Sequence, residues 1–115
     1  RHGYWTLPAG FLENQESIEE GALRETEEEA KLRVSNVKLF TVLSVPHIDQ
    51  IYTFFTGKVV NYDFGPTPES SEVKLFKYDD IPWDELAFPT VIKTIKLFLE
   101  HGDDKIINEV LRPKI

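Results

Sequence analysis

Three glutamates near position 25 form the group of side chains best suited to chemistry in this sequence. Glu25, Glu28 and Glu29 are spaced i, i+3 and i+4, so in a helix their carboxylates share one face, which Glu27 does not join. Carboxylates this close cannot all stay ionised without a cost in free energy, and Mg²⁺, a hard cation that prefers oxygen ligands, removes that cost. Arg24 stands four residues before Glu28 and can pair with it. The spacing therefore indicates a divalent-metal site, and a solvated acidic helix remains the alternative.

A helix must position these carboxylates, and the sequence predicts one from Ser17 to Ala30. Ser17 and Glu20 have the S-x-x-E spacing of a capping box, in which the hydroxyl and the carboxylate each accept a backbone N–H. Ala22 and Leu23 are strong helix formers, as are the glutamates that surround them. The segment has few apolar residues on any one face and many glutamates, which repel one another. A purely structural helix seldom has so many like charges without interleaved lysines.

The rest of the chain contains strand-like segments and a second helix. Segments rich in β-branched and aromatic residues are predicted strands: His2–Leu7, Val34–Val45, Gln50–Val60 and Glu72–Tyr78. Residues 61–71 hold Gly65 and two prolines and are predicted to be a loop. A helix is predicted from Pro89 to just before Gly102. Its apolar face is expected to comprise Phe88, Val91, Ile92, Ile95, Phe98 and Leu99.

The order of these elements predicts an α/β or α+β fold with helices packed on a mixed sheet. The tail from Asp103 to Ile115 fits a short helix, a strand or an arm onto a partner subunit. The chain has 115 residues, which is enough for a single domain, 1–115, with its own core. It begins at Arg1 and contains no Met, so we expect it to be part of a longer chain.

Composition narrows the classes of partner. The net charge of −7 disfavours generic nucleic-acid binding, which needs a basic face. The absence of cysteine excludes a disulfide framework and a thiolate zinc site within these residues, and it suits a cytoplasmic protein. No apolar run approaches the length of a membrane span. We therefore expect neither nucleic acid nor membrane as a partner.

The stretch from Gly10 to Leu32, GFLENQESIEEGALRETEEEAKL, resembles the Nudix box, G-x5-E-x7-R-E-U-x-E-E-x-G-U, where U is a bulky aliphatic residue. The positions in register are Gly10, Glu16, Arg24, Glu25, Glu28, Glu29 and Leu32. The preceding Trp5–Gly10 also resembles the family's W-x-L-P-G-G entry, with Ala9 in place of the first glycine. The resemblance implies a Nudix-like α/β/α sandwich, here without the N-terminal strands that family members normally have.

Two box positions depart from the pattern. Thr26 replaces an aliphatic residue, a mild change because its methyl group can still pack. Lys31 replaces the second glycine, which usually adopts a left-handed conformation at the helix end. A non-glycine residue in that conformation costs roughly 1 kcal/mol. This affects local stability more than chemistry, because Lys31 lies outside the carboxylate face.

The resemblance implies a role for each matching residue. The three glutamates of the carboxylate face, Glu25, Glu28 and Glu29, match the metal ligands and catalytic residues, and the carbonyl of Ala9 matches a backbone ligand. Arg24 matches the arginine that orients a glutamate. Gly10 and Glu16 match residues that support the box. The implied metal is Mg²⁺, with Mn²⁺ as a substitute, and it activates a water for attack at phosphorus.

A second region, Gly65–Phe88, resembles the corresponding segment of Nudix enzymes that cleave FAD, ADP-ribose or NADH. A glutamate in that segment often serves as an extra metal ligand or general base. Glu69 is the first candidate and Glu72 the second; the alternatives are a loop acid and a strand-end residue. The long NADH-type signature after the box is absent, and SVPHIDQIY stands there instead. The resemblance therefore favours the ADP-ribose and FAD branch.

Further candidates for contact with substrate are weaker. They are Arg1, Trp5, Gln50 and Glu72. Trp5 can stack on a base but fits a core position equally, and Gln50 fits a polar strand start.

Together the resemblance implies a Mg²⁺-dependent pyrophosphohydrolase that releases AMP from ADP-ribose, FAD or a similar dinucleotide, acting as a homodimer. The alternatives are a catalytically silent Nudix-fold module that senses a nucleotide, and an acidic scaffold without chemistry.

Overall fold

The structure is a computed structural model that describes residues 4–61 and 63–113. Its helices are α1 (Ile18–Ala30) and α2 (Pro89–His101), and its strands are β1 (Val34–Val45), β2 (Gln50–Val59) and β3 (Ile107–Val110). Single 3-10 turns lie at Pro46–Ile48, Tyr78–Asp80 and Trp83–Glu85. The strands form one mixed sheet in the order β2-β1-β3, with β1 and β3 parallel. The predicted α+β class with a mixed sheet is confirmed.

The chain divides into two compact units, each of which includes part of β1 and part of β2. The α1 unit comprises Leu7–Lys38 and Thr56–Ile81. The described residues of the α2 unit lie within Arg1–Thr6, Leu39–Phe55 and Pro82–Ile115. No helix among the described residues is long and apolar enough to cross a membrane.

The α2 unit has an apolar core at the inner positions of β1. Phe40 and Leu43 are fully buried, and the Phe40 ring meets the Phe98 ring edge-on at 5.8 Å between centroids. The Thr41 and Thr94 hydroxyls, also buried, lie 3.2 Å apart and satisfy each other. This pairing lets a threonine occupy the core side of α2.

Helix α2 has the predicted bounds, and its buried face matches the predicted one in part. Val91 is buried as predicted, and Ile92, Ile95 and Phe98 are half-buried. Pro89 begins it, and Gly102 follows it with φ 70°, as expected for a helix end. The buried residues are Thr90, Val91, Thr94 and Leu97. Phe88 and Leu99, which were expected on the apolar face, are 45% and 40% exposed. The prediction was wrong for Phe88 and Leu99, which it selected by hydropathy, and it left out Thr94, whose hydroxyl costs little to bury because it has a buried partner.

The tail after α2 contains strand β3. Strand β3 pairs in parallel with β1, with Thr41 opposite Ile107 and Ser44 opposite Val110. The Leu111 N–H extends this ladder to the Ser44 carbonyl at 2.8 Å. Among the three alternatives for the tail, the structure selects the strand.

Two predicted strands are not formed by the residues that the structure describes. Of His2–Leu7, residues 4–7 are described, and they contain a single parallel bridge between Trp5 and Leu86. Glu72–Tyr78 has no strand pairing and leads into the turn at Tyr78–Asp80. Composition favours extended backbone in Glu72–Tyr78, but a strand also needs a hydrogen-bonded neighbour, and this segment is not among the strands of the described sheet.

Helix α1 has both of the ends that its sequence predicts. The Ser17 hydroxyl accepts the Glu20 N–H at 3.1 Å, and the Glu20 carboxylate accepts the Ser17 N–H at 2.8 Å, so the capping box is present. Lys31 ends the helix in the left-handed conformation, at φ 56° and ψ 28°, and its N–H donates to the Glu27 carbonyl. The predicted left-handed lysine is therefore confirmed.

Candidate functional site

Three carboxylates converge within the α1 unit. Oxygens of Glu25, Glu29 and Glu69 all lie within 4.8 Å of one another. Glu25 and Glu29 stand one turn apart on α1, and Glu69 lies in the loop that follows β2. The structure thus brings Glu69, the first candidate for an extra metal ligand or base, next to Glu25 and Glu29 of α1. We call these three residues the carboxylate cluster.

Glu29 is a half-buried glutamate of the carboxylate cluster, and its environment favours its protonated form. Burial raises its pKa to about 7, aided by a hydrogen bond with Glu25 and by the charges of Glu25 and Glu69. The Ala9 N–H donates to Glu29 Oε2 at 2.9 Å and partly offsets this effect. Without a cation, the cluster therefore holds a proton near neutral pH.

The donor set fits a hard divalent cation. All three side chains offer carboxylate oxygens, which Mg²⁺ and Mn²⁺ accept as ligands. A cation between them relieves the repulsion that, after burial, contributes to the raised pKa of Glu29. The position of Glu29, half-buried beside the Ala9 backbone, differs from that of a freely solvated acidic face.

Arg24 holds the cluster against the loop that precedes α1. Its Nε donates to Glu16 Oε2 at 2.7 Å, and its Nη1 donates to Glu25 Oε1 at 2.5 Å. Its Nη2 reaches the Phe11 carbonyl at 3.1 Å and Glu16 Oε1 at 3.0 Å. The hydrogen bond to Arg24 lowers the pKa of Glu16, and the same contact raises the pKa of Arg24. Arg24 is therefore a permanent cation that fixes the orientation of Glu25.

Glu28 lies beside the carboxylate cluster but is not one of its members. Its two oxygens accept from Arg24 Nη1 at 3.3 Å each, which is longer than the contacts of Arg24 with Glu16 and Glu25. Its side chain is 43% exposed, against 16% for Glu25. The predicted pairing with Arg24 is present, and the metal-binding role of Glu28 stays a prediction.

Gly10 is required by the space around Glu25. A Cβ placed on Gly10 would lie 2.5 Å from the Glu25 carboxylate carbon. Its φ is not positive, so the backbone conformation itself does not demand glycine. Gly10 and Ala9 thus bring the backbone against both helix glutamates of the cluster. The carbonyl ligand at Ala9 stays a prediction, since the structure shows the contact of its N–H.

The other substrate candidates that the structure describes are Glu72, Gln50 and Trp5, and none of them is a member of the carboxylate cluster. Glu72 is exposed in the extended segment and does not join the cluster. In the α2 unit, the Gln50 oxygen accepts a short hydrogen bond from the Tyr52 hydroxyl. Trp5 is half-buried and bridges through its backbone to the chain at Leu86. Arg1 lies outside the described residues.

Sequence reasoning missed three residues that shape the site. Glu13 forms an ion pair with Arg24 at 3.0 Å. Gly21 lets the loop approach α1, because a Cβ there would lie 2.6 Å from Leu12 Cδ2. A glycine inside a helix pattern was the available signal for such an approach. Thr67 hydrogen-bonds the loop that carries Glu69, and nothing in its sequence context distinguishes it from an ordinary turn residue.

Comparison with known proteins decides the family. The NUDIX domain model matches residues 1–98, which is most of the chain. The chain belongs to the NUDIX domain family. The convergent glutamates of α1 thus lie in a NUDIX domain, as the box resemblance implied.

The relatives of this NUDIX domain include hydrolases of known structure or curated function. A crystal structure of a NUDIX hydrolase from Nitrosomonas europaea is 43% identical, with a TM-score of 0.89, and the match covers 96% of this chain and 65% of that one. The NAD-capped RNA hydrolases NudC of Escherichia coli strain K12 and of Salmonella schwarzengrund are each 32% identical over 83 residues. The match covers 71% of this chain and 32% of either relative, so the chain spans about a third of their length.

Proposed function

We propose that this protein is a divalent-metal-dependent pyrophosphohydrolase that cleaves a nucleoside-diphosphate derivative. The observation that carries the proposal is the convergence of Glu25, Glu29 and Glu69 in a NUDIX domain. The metal supplies a Lewis acid for the diphosphate oxygens and an activated water. The intact cluster argues against a silent nucleotide-sensing module, since such modules usually lose the catalytic carboxylates.

Each residue of the site has its own role in this proposal. Glu25 and Glu29 hold the cation from the helix, while the Ala9 N–H keeps the Glu29 carboxylate in place. Arg24 orients Glu25. Glu69 adds the third carboxylate from the loop, as a metal ligand or as the base that accepts a proton from water. Loss of metal affinity in Glu69→Gln indicates the first role, and loss of kcat at unchanged affinity indicates the second.

The proposed substrates share an AMP moiety joined through a pyrophosphate. Residues of the second region resemble the ADP-ribose and FAD branch, whereas the NudC relatives are named for NAD-capped RNA. These compounds present the same diphosphate to the carboxylate cluster. The substrate panel therefore includes NADH and an NAD-capped oligonucleotide beside ADP-ribose and FAD, although the net charge of −7 disfavours a long RNA.

The test is a product analysis with and without Mg²⁺. The protein and its Glu28→Gln variant are incubated with that panel and with nucleoside triphosphates. We expect metal-dependent release of AMP from at least one dinucleotide, and the fastest substrate identifies the branch. Tight nucleotide binding without turnover of any compound would contradict the proposal and favour a sensor. An inactive Glu28→Gln variant would place Glu28 in the machinery despite its exposure.

We also propose that the protein is a cytoplasmic homodimer. The support is the habit of the family and the lack of cysteine. Sedimentation of the protein at micromolar concentration tests the dimer. A single species at the monomer mass would contradict it.

A further inference from the structure

The loop that carries Glu69 is bound to the carbonyl end of helix α1. The Gly65 N–H donates to the Ala30 carbonyl at 3.4 Å, and the Thr67 hydroxyl donates to the Glu29 carbonyl at 3.3 Å. The last four carbonyls of an α-helix have no partner inside the helix, so they are free to receive such donors. The loop thus takes its position from the same helix turn that presents Glu29.

Thr67 makes a second set of contacts inside the loop. Its hydroxyl oxygen accepts the N–H groups of Glu69 and Ser70, each at 3.1 Å. A threonine hydroxyl has one donor and two acceptor positions, so these three contacts use its full capacity. The backbones of Thr67 and Ser70 also exchange hydrogen bonds of 3.0 and 3.1 Å, which close the turn. One hydroxyl therefore links the backbones of two cluster members that are 40 residues apart.

We propose that Thr67 is a positioning residue whose hydroxyl holds the Glu69 carboxylate at cluster distance from Glu29. Thr67 acts through the backbones of both glutamates and has no part in the chemistry itself. The proposal rests on the proposed function, because it assigns the role to the same metal centre. It extends that function by naming the contact that brings the loop carboxylate to the helix carboxylates.

Two substitutions separate the hydroxyl from the shape of the side chain. Thr67→Val keeps the branched shape and loses all three hydrogen bonds, whereas Thr67→Ser keeps the hydroxyl and loses a methyl group. Groups that orient metal ligands typically change affinity or activity by about 10- to 100-fold when removed. We expect Thr67→Val to weaken Mn²⁺ binding or kcat by about tenfold. Thr67→Ser should keep the Mn²⁺ affinity and kcat within about threefold of the parent values, a smaller change than the removal of an orienting group typically causes.

The matched control is Thr26→Val. The Thr26 hydroxyl donates to the Ala22 carbonyl at 2.7 Å, so its hydrogen bond stays within α1. This variant removes a threonine hydroxyl from the same unit, so it measures the general effect of the exchange. It should bind Mn²⁺ as the parent does.

The experiment measures Mn²⁺ affinity from the free-ion EPR signal, together with kcat and KM, for the single variants, Glu69→Gln and the double variant Thr67→Val/Glu69→Gln. If Thr67 acts through Glu69, Thr67→Val lowers the same quantity that Glu69→Gln lowers, and the double variant is no worse than Glu69→Gln alone. Melting temperatures identify any variant that unfolds, and Thr67→Ala then repeats the test without either γ-methyl group of valine.

Three results would overturn the proposal: a Thr67→Val protein that matches the parent, additive losses in the double variant, or a serine variant as impaired as the valine one. A parent protein that neither binds Mn²⁺ nor turns over any substrate would instead overturn the proposed function itself. If the parent binds Mn²⁺ and turns over substrate, and Thr67→Val behaves as the parent does, the proposed function stands and only the positioning role of Thr67 is rejected.

Discussion

At the scale of single residues, the site depends on how closely the loop before α1 approaches the helix. Gly10 and Gly21 both face side chains at distances that leave no room for a Cβ. Arg24 then joins that loop to the helix through Glu16, Glu25 and the Phe11 carbonyl. The geometry of the carboxylates is therefore set by packing as well as by their spacing along α1.

Gly10→Ala should impair function much more than stability. The added methyl group must displace the Glu25 carboxylate, which is the end of a flexible side chain and can move at little cost. We expect activity to fall by about 10- to 100-fold, as for disturbed metal ligands. The free energy of unfolding should change by less than about 1 kcal/mol, because the backbone of Gly10 tolerates alanine. Steady-state kinetics and denaturant unfolding on the same preparation check both quantities.

If Gly10→Ala is active and depends on Mg²⁺ as the parent does, Glu25 can support the reaction from a second side-chain position. A strongly destabilised variant would show that the loop, and not the Glu25 carboxylate, resists the methyl group. Either result would contradict the reading of Gly10 as the residue that makes room for Glu25.

At the scale of elements, local rules were sufficient for α1. The capping box, the helix length and the left-handed end at Lys31 depend on residues close in sequence, and all three were predicted. The strand expected at Glu72–Tyr78 failed because pairing depends on a distant neighbour that composition does not specify. The tail was ambiguous for the same reason, and its pairing with β1 settled it.

The site shows the same division between local and distant contacts. The spacing of Glu25 and Glu29 was readable from the sequence, and the family resemblance drew attention to Glu69. The anchoring of the Glu69 loop by Thr67 joins residues 38 positions apart, and no periodicity in the chain encodes it. Glu28 shares the helical spacing of Glu25 and Glu29, and its carboxylate contacts Arg24, so its metal-binding role stays a prediction.

Lys31→Gly should stabilise the protein. Lys31 holds a left-handed conformation that glycine adopts without steric cost, so we expect a gain of up to about 1 kcal/mol in the free energy of unfolding. Lys31→Ala is the control, because it removes the lysine side chain but keeps the Cβ and its strain. Thermal or denaturant unfolding of the three proteins measures the difference. Equal stability of the glycine and alanine variants would show that the helix end carries no such strain.

At the scale of the whole molecule, the carboxylate cluster links stability to pH and to metal. In the metal-free protein the pKa of Glu29 is raised from its ordinary value of 4.5 to about 7. The folded state therefore holds a proton that the unfolded state releases within this window. The contribution of Glu29 to the free energy of unfolding falls as pH rises from about 4.5 to about 7 and stays low above it.

Mg²⁺ should reverse this trend, since a cation and a proton compete for the same carboxylates. We expect the Mg²⁺-induced rise in melting temperature to be larger at pH 8 than at pH 5.5. Glu29→Gln should remove most of the difference between the two pH values. A melting temperature that responds equally to Mg²⁺ at both pH values in the parent protein would contradict the protonation of Glu29.

The most direct test of the metal centre compares AMP release by the parent, Glu25→Gln and Glu27→Gln under saturating Mg²⁺, with the best substrate of the panel. Both variants remove one negative charge from α1, but Glu27 is exposed and lies outside the carboxylate cluster. We predict a loss of at least about 100-fold in kcat for Glu25→Gln, equivalent to roughly 3 kcal/mol of transition-state stabilisation. Glu27→Gln should keep the parental rate and the parental Mg²⁺ dependence. Equal rates for the two variants, or a parent rate that is independent of Mg²⁺, would contradict a catalytic metal held by the converging glutamates.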